Sequence, residues 1–503
     1  MEVAPKARDR SFVPALLACA AVAVLGVVTP DLLSEFVVGA VVGVIDALDV
    51  VFLAITLALV VLSAWFAFGR HARRRLGGPT AQPEFSSFAW ISMLFAAGMG
   101  SGLMFWGVAE PLIHGAQPPL AIDGVAQARR QALAIADMHW GLHAWAIYGV
   151  AALVLGYFHF CRGTDYLPGA PMREVMSRRW GRPLAAVADL IGVLAIAFGV
   201  AGSVGMGVLQ IRSGLSRAFG VVDDTPLLTV AILVLLVTAY TASAVTKLDR
   251  GIKWLSALNV VLAVGFMLLL LLWGDTALRL QAFATSLLDY PRLLLPMSTM
   301  SGPWSQARDW MHDWTIAYLV WWIAWAPFVG VFVARISRGR TFREFIVAVL
   351  LVPTVFSMLW FAVLGGTAAA LDGDGAIARV AVADPPTALF ETLARMPFAS
   401  VLSALAVVLV FLFLVTSVDS AAYVLGVITS GGAADPSPRR KLAWGVVLGL
   451  LGAGPVLSGR VDVVKAVAIV GAIPFTLVLV LQTGSLLVAL RRDRLPRSPP
   501  GRP

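Results

Sequence analysis

The chain has 503 residues, 59% of them hydrophobic and only 13% charged, against about 25% charged in a soluble domain. Apolar runs of roughly 20 residues, the length that crosses a bilayer, recur from one end to the other, which excludes a water-soluble globule. The net charge of +9 does not mark a nucleic-acid surface, because the basic residues sit in short loops between apolar runs, where they orient a membrane protein.

In chain order, spans are predicted near 12–32, 48–69, 88–113, 136–160, 184–214, 226–244, 254–276, 314–335, 343–371, 398–428, 442–458 and 463–490. The apolar stretch between the first two can extend either helix. The first span follows Lys6, Arg8 and Arg10, and with so many spans behind it reads as a retained helix rather than a signal peptide. Most of the 38 Lys and Arg fall in 6–10, 70–75, 162–182, 247–253, 335–343, 439–441 and 491–502. These lie on one side if the spans number twelve and both termini are cytoplasmic.

The fold class expected is therefore all-α integral membrane. Residues 1–87 hold the cytoplasmic N-terminus and two peripheral helices, and 88–276 a first block of five spans. In 277–312, Leu280, Phe283 and Leu287 recur on one helical face, which predicts an amphipathic helix lying in the outer interface. A second block of five fills 313–490. Within it, 372–397 is acidic and contains prolines, and is expected to be an outer loop. The tail 491–503 is basic and Pro-rich, the composition of a disordered segment.

Conventional catalytic chemistry is not readable, and no enzyme is expected. Cys19 and Cys161 give no disulfide framework or thiolate metal site. His139 and His143 share helical i,i+4 spacing, but no acid stands between them as in a zinc-protease helix.

Broken helices are the better lead. In lipid, backbone groups must be satisfied internally, so a helix unwinds only against protein or a water-filled cavity. The third span carries Gly98, Gly100 and Gly102 in alternation, and the eighth carries Pro327 in mid-span. Three glycines in five residues weaken a helix by roughly 3 kcal/mol against alanine. Each of these spans opens one of the two five-span blocks, and interrupted segments at matching positions point to an inverted repeat with its site between the halves.

Aromatics gather on the same spans. Trp140, Trp145 and Tyr148 share a broad face of the fourth, and Trp321, Trp322 and Trp325 a tighter face of the eighth. Trp140 is near enough to Asp137 for an interfacial belt to explain it, whereas the eighth-span trio lies at mid-depth. Clustered indole faces attract a cation that has no hydrogens to donate, at about 2 kcal/mol or more per desolvated contact, and quaternary ammonium groups fit that description. In the tenth span, Thr416, Ser417, Asp419 and Ser420 offer hard oxygens suited to sodium, although Thr and Ser in helices also bond back to their own carbonyls. Asp419 is a functional candidate as an intramembrane acid, with pairing to Lys247 or Arg250 as the competing explanation.

The segments AAGMGSGLMFWGVAEP (96–111), HWGLHAWAIY (139–148), the eighth-span block 313–345 and TSVDS (416–420) resemble the betaine/choline/carnitine transporters, over nearly the whole chain. The resemblance implies a LeuT-like fold with spans 3–7 and 8–12 as inverted repeats, and a homotrimer in the cell (inner) membrane. It implies a substrate box of Trp140, Trp145, Tyr148, Trp321, Trp322 and Trp325, with Phe105 along the same pathway. It also implies a sodium site made from the carbonyls of Ala96 and Met99 and the hydroxyls of Thr416 and Ser417. Gly102 stands where proton-coupled choline carriers tend to have an acid, which favours sodium. The expected activity is sodium-driven import of a quaternary-ammonium solute, glycine betaine foremost. A proton-coupled choline carrier and a carnitine-type exchanger are the alternatives. A second sodium site is in doubt, since the fifth span offers only Ser203. Lys253 could replace an ion only by reaching inward. The short tail gives no support for osmotic regulation.

Overall fold

A computed structural model describes residues 12–98, 100–221, 226–245, 251–433 and 435–493. Among them there is no β-strand, only an isolated bridge between Arg75 and Thr341. The helices are α1 (Phe12–Val28), α2 (Pro30–Phe68), α3 (Ser87–Gly98), α4 (Ser101–Ala116), α5 (Val125–Trp140), α6 (Leu142–Arg162), α7 (Ala170–Val175), α8 (Arg178–Phe219), α9 (Pro226–Val245) and α10 (Gly251–Leu272). They continue with α11 (Thr276–Ser298), α12 (Arg308–Met311), α13 (Ala317–Arg335), α14 (Phe342–Leu371), α15 (Ala376–Ala383), α16 (Ala388–Ala394), α17 (Ala399–Thr429), α18 (Pro438–Leu457), α19 (Val461–Val470) and α20 (Ala472–Arg492).

Every predicted span falls on a helix or a pair of consecutive helices. Among the described residues, eight helical stretches are long and apolar enough to cross a membrane on their own. The apolar segment before residue 48 belongs to α2, which runs 39 residues from a proline at its first turn. At 1.5 Å per residue that is roughly 58 Å, so α2 extends well beyond the hydrocarbon core. Large apolar side chains coat the outside, among them Leu17, Phe36, Phe68, Leu227 and Leu272. That coat suits lipid and would drive a soluble protein to aggregate.

The third span is divided between α3 and α4 at Gly100, extended at φ −110° and ψ −172°, while Gly98 closes α3 and Gly102 lies in the first turn of α4, so the opening is narrower than the three glycines suggested. The eighth span is not broken at Pro327. It enters through α12 and a π turn, His312–Ile316, and then α13 continues through the proline. The packed neighbours of α13 hold it in line, as they do for prolines in other membrane helices.

Two further breaks were not foreseen. The fourth span is interrupted at Gly141, φ −98° and ψ −137°. A Cβ there would lie 2.6 Å from the Tyr290 hydroxyl, and that hydroxyl accepts the freed backbone N–H of Leu142 at 2.8 Å. The twelfth span is interrupted at Gly471, between α19 and α20.

The helix expected in 277–312 is α11, which leaves α10 at 112°. Leu280 and Leu287 on its apolar stripe are exposed, while Ser286 and Tyr290 face the protein. Residues 372–397 are not a plain loop: α15 and α16 bury Ile377, Ala381, Leu389, Phe390 and Leu393 against the bundle. The mean acidity of the segment concealed those two short apolar faces.

Packing between the two blocks follows a simple rule. Helix α13 lies on α6 and α8, α4 on α14 and α17, and α8 on α17. Helices α18 and α19 lie on α8, as α9 and α10 lie on α17. Exchanging the first block for the second maps each of these pairings onto another in the set.

Candidate functional site

The break in the third span forms one wall of the site. At Gly100 a Cβ would lie 3.8 Å from Ser417 Oγ and 3.9 Å from Trp325 Cη2, so spans three, eight and ten meet at the unwound backbone. Thr416 Oγ1 donates to the carbonyls of Leu412 and Phe413, both at 3.0 Å, which is the back-bonding arrangement. Donating a proton leaves the oxygen's lone pairs available, so back-bonding and cation binding are compatible. Met99 lies outside the described residues, and of Ala96 and Gly98 only the helical backbone of α3 is described.

Above Gly100 the aromatic rings close in. Trp140 lies against Gly102 so tightly that a Cβ would come within 2.8 Å of its Cη2. Its ring meets Trp322 at 4.8 Å with planes 70° apart, and Trp322 meets Tyr148 at 6.2 Å. Tyr148 in turn meets Trp145 at 5.6 Å. Trp321 stacks on Trp322 at 5.8 Å with planes only 5° apart. Trp325 stands apart from these rings. It packs on Phe328 at 5.6 Å and donates its indole N–H to Gly199 O at 3.3 Å, the carbonyl that also accepts from Ser203 at 3.4 Å. Phe105 is buried against Trp106 at 4.7 Å.

The indoles are oriented by acceptors outside the ring cluster. Trp140 Nε1 donates to Glu110 Oε2 at 2.9 Å, and the Tyr318 hydroxyl donates to the same oxygen at 2.7 Å. Trp322 Nε1 donates to His139 O at 2.8 Å. The Trp321 N–H is buried and has no hydrogen-bond partner among the described residues. Glu110 Oε1 meets His139 Nδ1 at 2.5 Å, and His139 Nε2 meets Thr315 Oγ1 at 2.9 Å. Glu110, His139 and Thr315 are buried, whereas Gly100, Trp325, Thr416 and Ser417 keep part of their surface exposed.

A sequence profile described as betaine/carnitine/choline family transporter matches residues 11–495. The chain belongs to this family. It is a multi-pass membrane transporter. Among its relatives, the glycine betaine transporter OpuD of Bacillus subtilis is 38% identical over 95% of this chain and 94% of its own length. Glycine betaine transporter 1 of Vibrio parahaemolyticus is 39% identical over 84% and 81% of the two chains. An ectoine/hydroxyectoine transporter of Virgibacillus pantothenticus is 36% identical over 86% and 87%.

The transporter thus brings Trp140, Trp145, Tyr148, Trp321 and Trp322 into one cluster, and sets Trp325 beside the Gly100 break with Ser417. Sequence reasoning missed Glu110 and Tyr318. Tyr318 lies three and four residues before Trp321 and Trp322, on the same helical face. Glu110 is an acid inside an apolar span, a functional candidate on that ground alone. The His139–His143 pairing does not form, because the break at Gly141 separates the two rings. His143 Nε2 instead meets Ser298 Oγ at 2.9 Å. Asp419 accepts from Ser243 at 2.5 Å and feels the charge of buried Lys441. Lys247 and Arg250 lie outside the described residues, and so does the side chain of Lys253.

Away from the rings, Asp493 ties the end of α20 to α6 and to the segment between α2 and α3. Arg74 donates to it at 3.0 Å, Arg162 at 2.6 Å, and Tyr157 through its hydroxyl. Burial pushes its carboxyl up, but the bonds from Tyr157 and Arg74 and the two guanidinium charges outweigh burial and hold it below the usual range. Residues 491–493, counted in the tail expected to be disordered, are instead held by α20 and these contacts, and residues 494–503 lie outside the described residues.

Proposed function

We propose that this transporter is a sodium-coupled symporter importing a small quaternary-ammonium solute, glycine betaine foremost. The observation that carries the reading is the cluster of Trp140, Tyr148, Trp321 and Trp322, with Trp140 packed on Gly102, two residues beyond the Gly100 break. Their polar atoms, where bonded, are directed into protein acceptors, which leaves ring faces for a cation without donors. Each desolvated face contributes about 2 kcal/mol or more. The unpartnered Trp321 N–H supplies a donor for an anionic end such as a carboxylate. The names of the relatives favour betaine-type solutes, with ectoine-type solutes next.

Sodium is favoured by Ser417 and Thr416 beside the broken helix. It is also favoured by Gly102, where the side chain of an acid would collide with Trp140. Solute and ion would both act on the unwound third span, so each must raise the other's affinity by the same factor. Alternating access is supported by the buried outer end around Glu110 and the partly exposed inner end around Trp325. Twelve spans with both termini cytoplasmic accord with the basic loops, and an inverted repeat accords with the exchange of helix pairings between the blocks.

Uptake of radiolabelled glycine betaine into proteoliposomes, with and without an inward sodium gradient, tests the reading. Accumulation only with the gradient is expected. Accumulation without sodium, or exchange driven solely by internal solute, would overturn the coupling. Uptake of choline or carnitine but not betaine would overturn the substrate and leave the aromatic box.

A further inference from the structure

The box and the sodium site leave one buried cluster unused. Glu110, His114 and His139 each present a ligand atom to a common point, all within 4.8 Å of one another. Glu110 Oε2 is taken by Trp140 and Tyr318, but Oε1 faces the two imidazoles, His139 Nδ1 at 2.5 Å and His114 Nε2 at 3.5 Å. The side chains are 0–1% exposed. His114 Nδ1 has no hydrogen-bond partner among the described residues, and Nε2 has only the long 3.5 Å ion-pair contact with Glu110. Leaving a buried polar group unpaired or weakly paired costs about 1–3 kcal/mol, and an ion seated between Glu110 and His114 would relieve that cost at Nε2.

We propose that Glu110, His114 and His139 form a site for a borderline divalent transition-metal ion, Zn2+ by type, which clamps the third and fourth spans together at their outer ends and arrests transport. Two imidazoles and one carboxylate are a zinc ligand set with a coordination position left open. Sodium, magnesium and calcium prefer all-oxygen surroundings. Bonds of about 2.0–2.1 Å at tetrahedral angles separate donors by roughly 3.4 Å. The Glu110–His114 distance already matches, and the short Glu110–His139 contact widens by about 1 Å as the ion replaces the shared proton. Thr315 on His139 Nε2 and the two donors on Glu110 Oε2 supply the outer-shell bonds that orient metal ligands. Trp314 and Trp310 pack against the His114 ring at 4.4 and 5.0 Å and fix its direction.

One charge opposes the ion. Lys465 Nζ lies 4.0 Å from the Trp314 ring and 4.8 Å from that of Trp106, and its charge acts on both Glu110 and His114. Removing it must therefore tighten the site, which a merely structural cluster would not show. The placement on the outer side, and the arrest, rest on the topology and alternating access proposed above. The ligand set does not.

The test has two arms on the purified, full-length transporter. Zn2+ titration by calorimetry and Co2+ titration by visible absorption need no solute, so they read the site even if betaine is not the cargo. One ion per chain is expected. His114→Gln should weaken binding by at least about tenfold while leaving metal-free uptake intact, and Lys465→Gln should tighten it. In proteoliposomes, external Zn2+ should inhibit uptake by the wild type and not by His114→Gln. No tetrahedral Co2+ band in the wild type, or equal Zn2+ affinity in His114→Gln, overturns the proposal. Binding that leaves uptake unaffected overturns the clamp.

Discussion

Gly102→Ala is the most demanding test of the aromatic cluster, because the perturbation is one methyl group. Its Cβ would lie 2.8 Å from Trp140 Cη2, whereas carbon atoms rest at about 3.5–4.0 Å. The indole must therefore retreat by roughly 1 Å. It cannot do so freely: its N–H is bonded to Glu110 at 2.9 Å, and Trp322 and Phe361 pack at 4.8 and 5.7 Å. Overpacking of this kind costs about 1–3 kcal/mol. If the cost falls on the bound geometry, solute affinity drops about 5- to 150-fold. Calorimetric binding of glycine betaine to the purified protein reads it directly. Gly107→Ala is the control. Its Cβ would meet Trp360 Nε1 at 2.6 Å, a comparable insult away from the box, and should lower thermal stability with little change in affinity. A cycle with Trp140→Phe isolates the clash, since separate sites add within about 0.3–0.5 kcal/mol. Wild-type affinity in Gly102→Ala, or strict additivity in the cycle, would refute the assignment of Trp140 to the solute site.

Other substitutions report on other parts of the site. Trp325→Ala should lower solute affinity about two- to fivefold, the loss of one partly exposed cation–π contact of about 0.5–1 kcal/mol; unchanged uptake affinity would remove it from the box. Trp321→Phe keeps a ring face and deletes the N–H, so it should weaken glycine betaine more than choline in competition binding, and equal losses would mean that the donor does not face the anionic end. Ser417→Ala should raise the sodium concentration for half-maximal uptake, and an unaltered sodium dependence would take the hydroxyl out of the ion site. Asp493→Asn should lower thermal stability at neutral pH, by no more than about 1 kcal/mol for a partly exposed carboxylate. Because the carboxyl of Asp493 is held below its ordinary range, its contribution is complete above about pH 4 and is lost as pH falls through the depressed value. The wild-type and Asn proteins should thus differ equally at pH 6 and pH 8, and a difference that grew between those values would contradict the assignment.

The helices and the aromatic faces were legible because lipid makes the pattern strict. A span must be apolar for about 20 residues, and three tryptophans at mid-depth in one span have few alternatives to a protein-lined cavity. The glycine run pointed to the break at Gly100 for the same reason, although Gly98 and Gly102 stay helical. What escaped were features fixed by partners distant in sequence. The break at Gly141 depends on the Tyr290 hydroxyl of α11, and Pro327 stays helical because its neighbours hold it. The aromatic cluster is also anchored by Glu110, which lies 30 residues before Trp140 and 208 before Tyr318. No spacing rule within one helix could join them, and the i,i+4 spacing of His139 and His143 gave no hint that His139 pairs with Glu110 instead.

The role of Glu110 follows from its two oxygens. Oε2 takes the Trp140 N–H and the Tyr318 hydroxyl, so one atom in the third span sets the position of rings in the fourth and the eighth. Oε1 faces His139 and His114. A carboxylate divided in this way cannot move without moving Trp140 and Tyr318, and those rings cannot rearrange without disturbing its contacts to His139 and His114. An anion buried beside the aromatic cluster also makes that region more favourable for a cation, and Lys465 over Trp106 and Trp314 shows a cation already resting on indole faces nearby. Under the proposed function, the rings offered to a methylated ammonium are therefore held in place by a side chain that also faces His139 and His114, so Glu110→Gln should disturb solute affinity and metal affinity together.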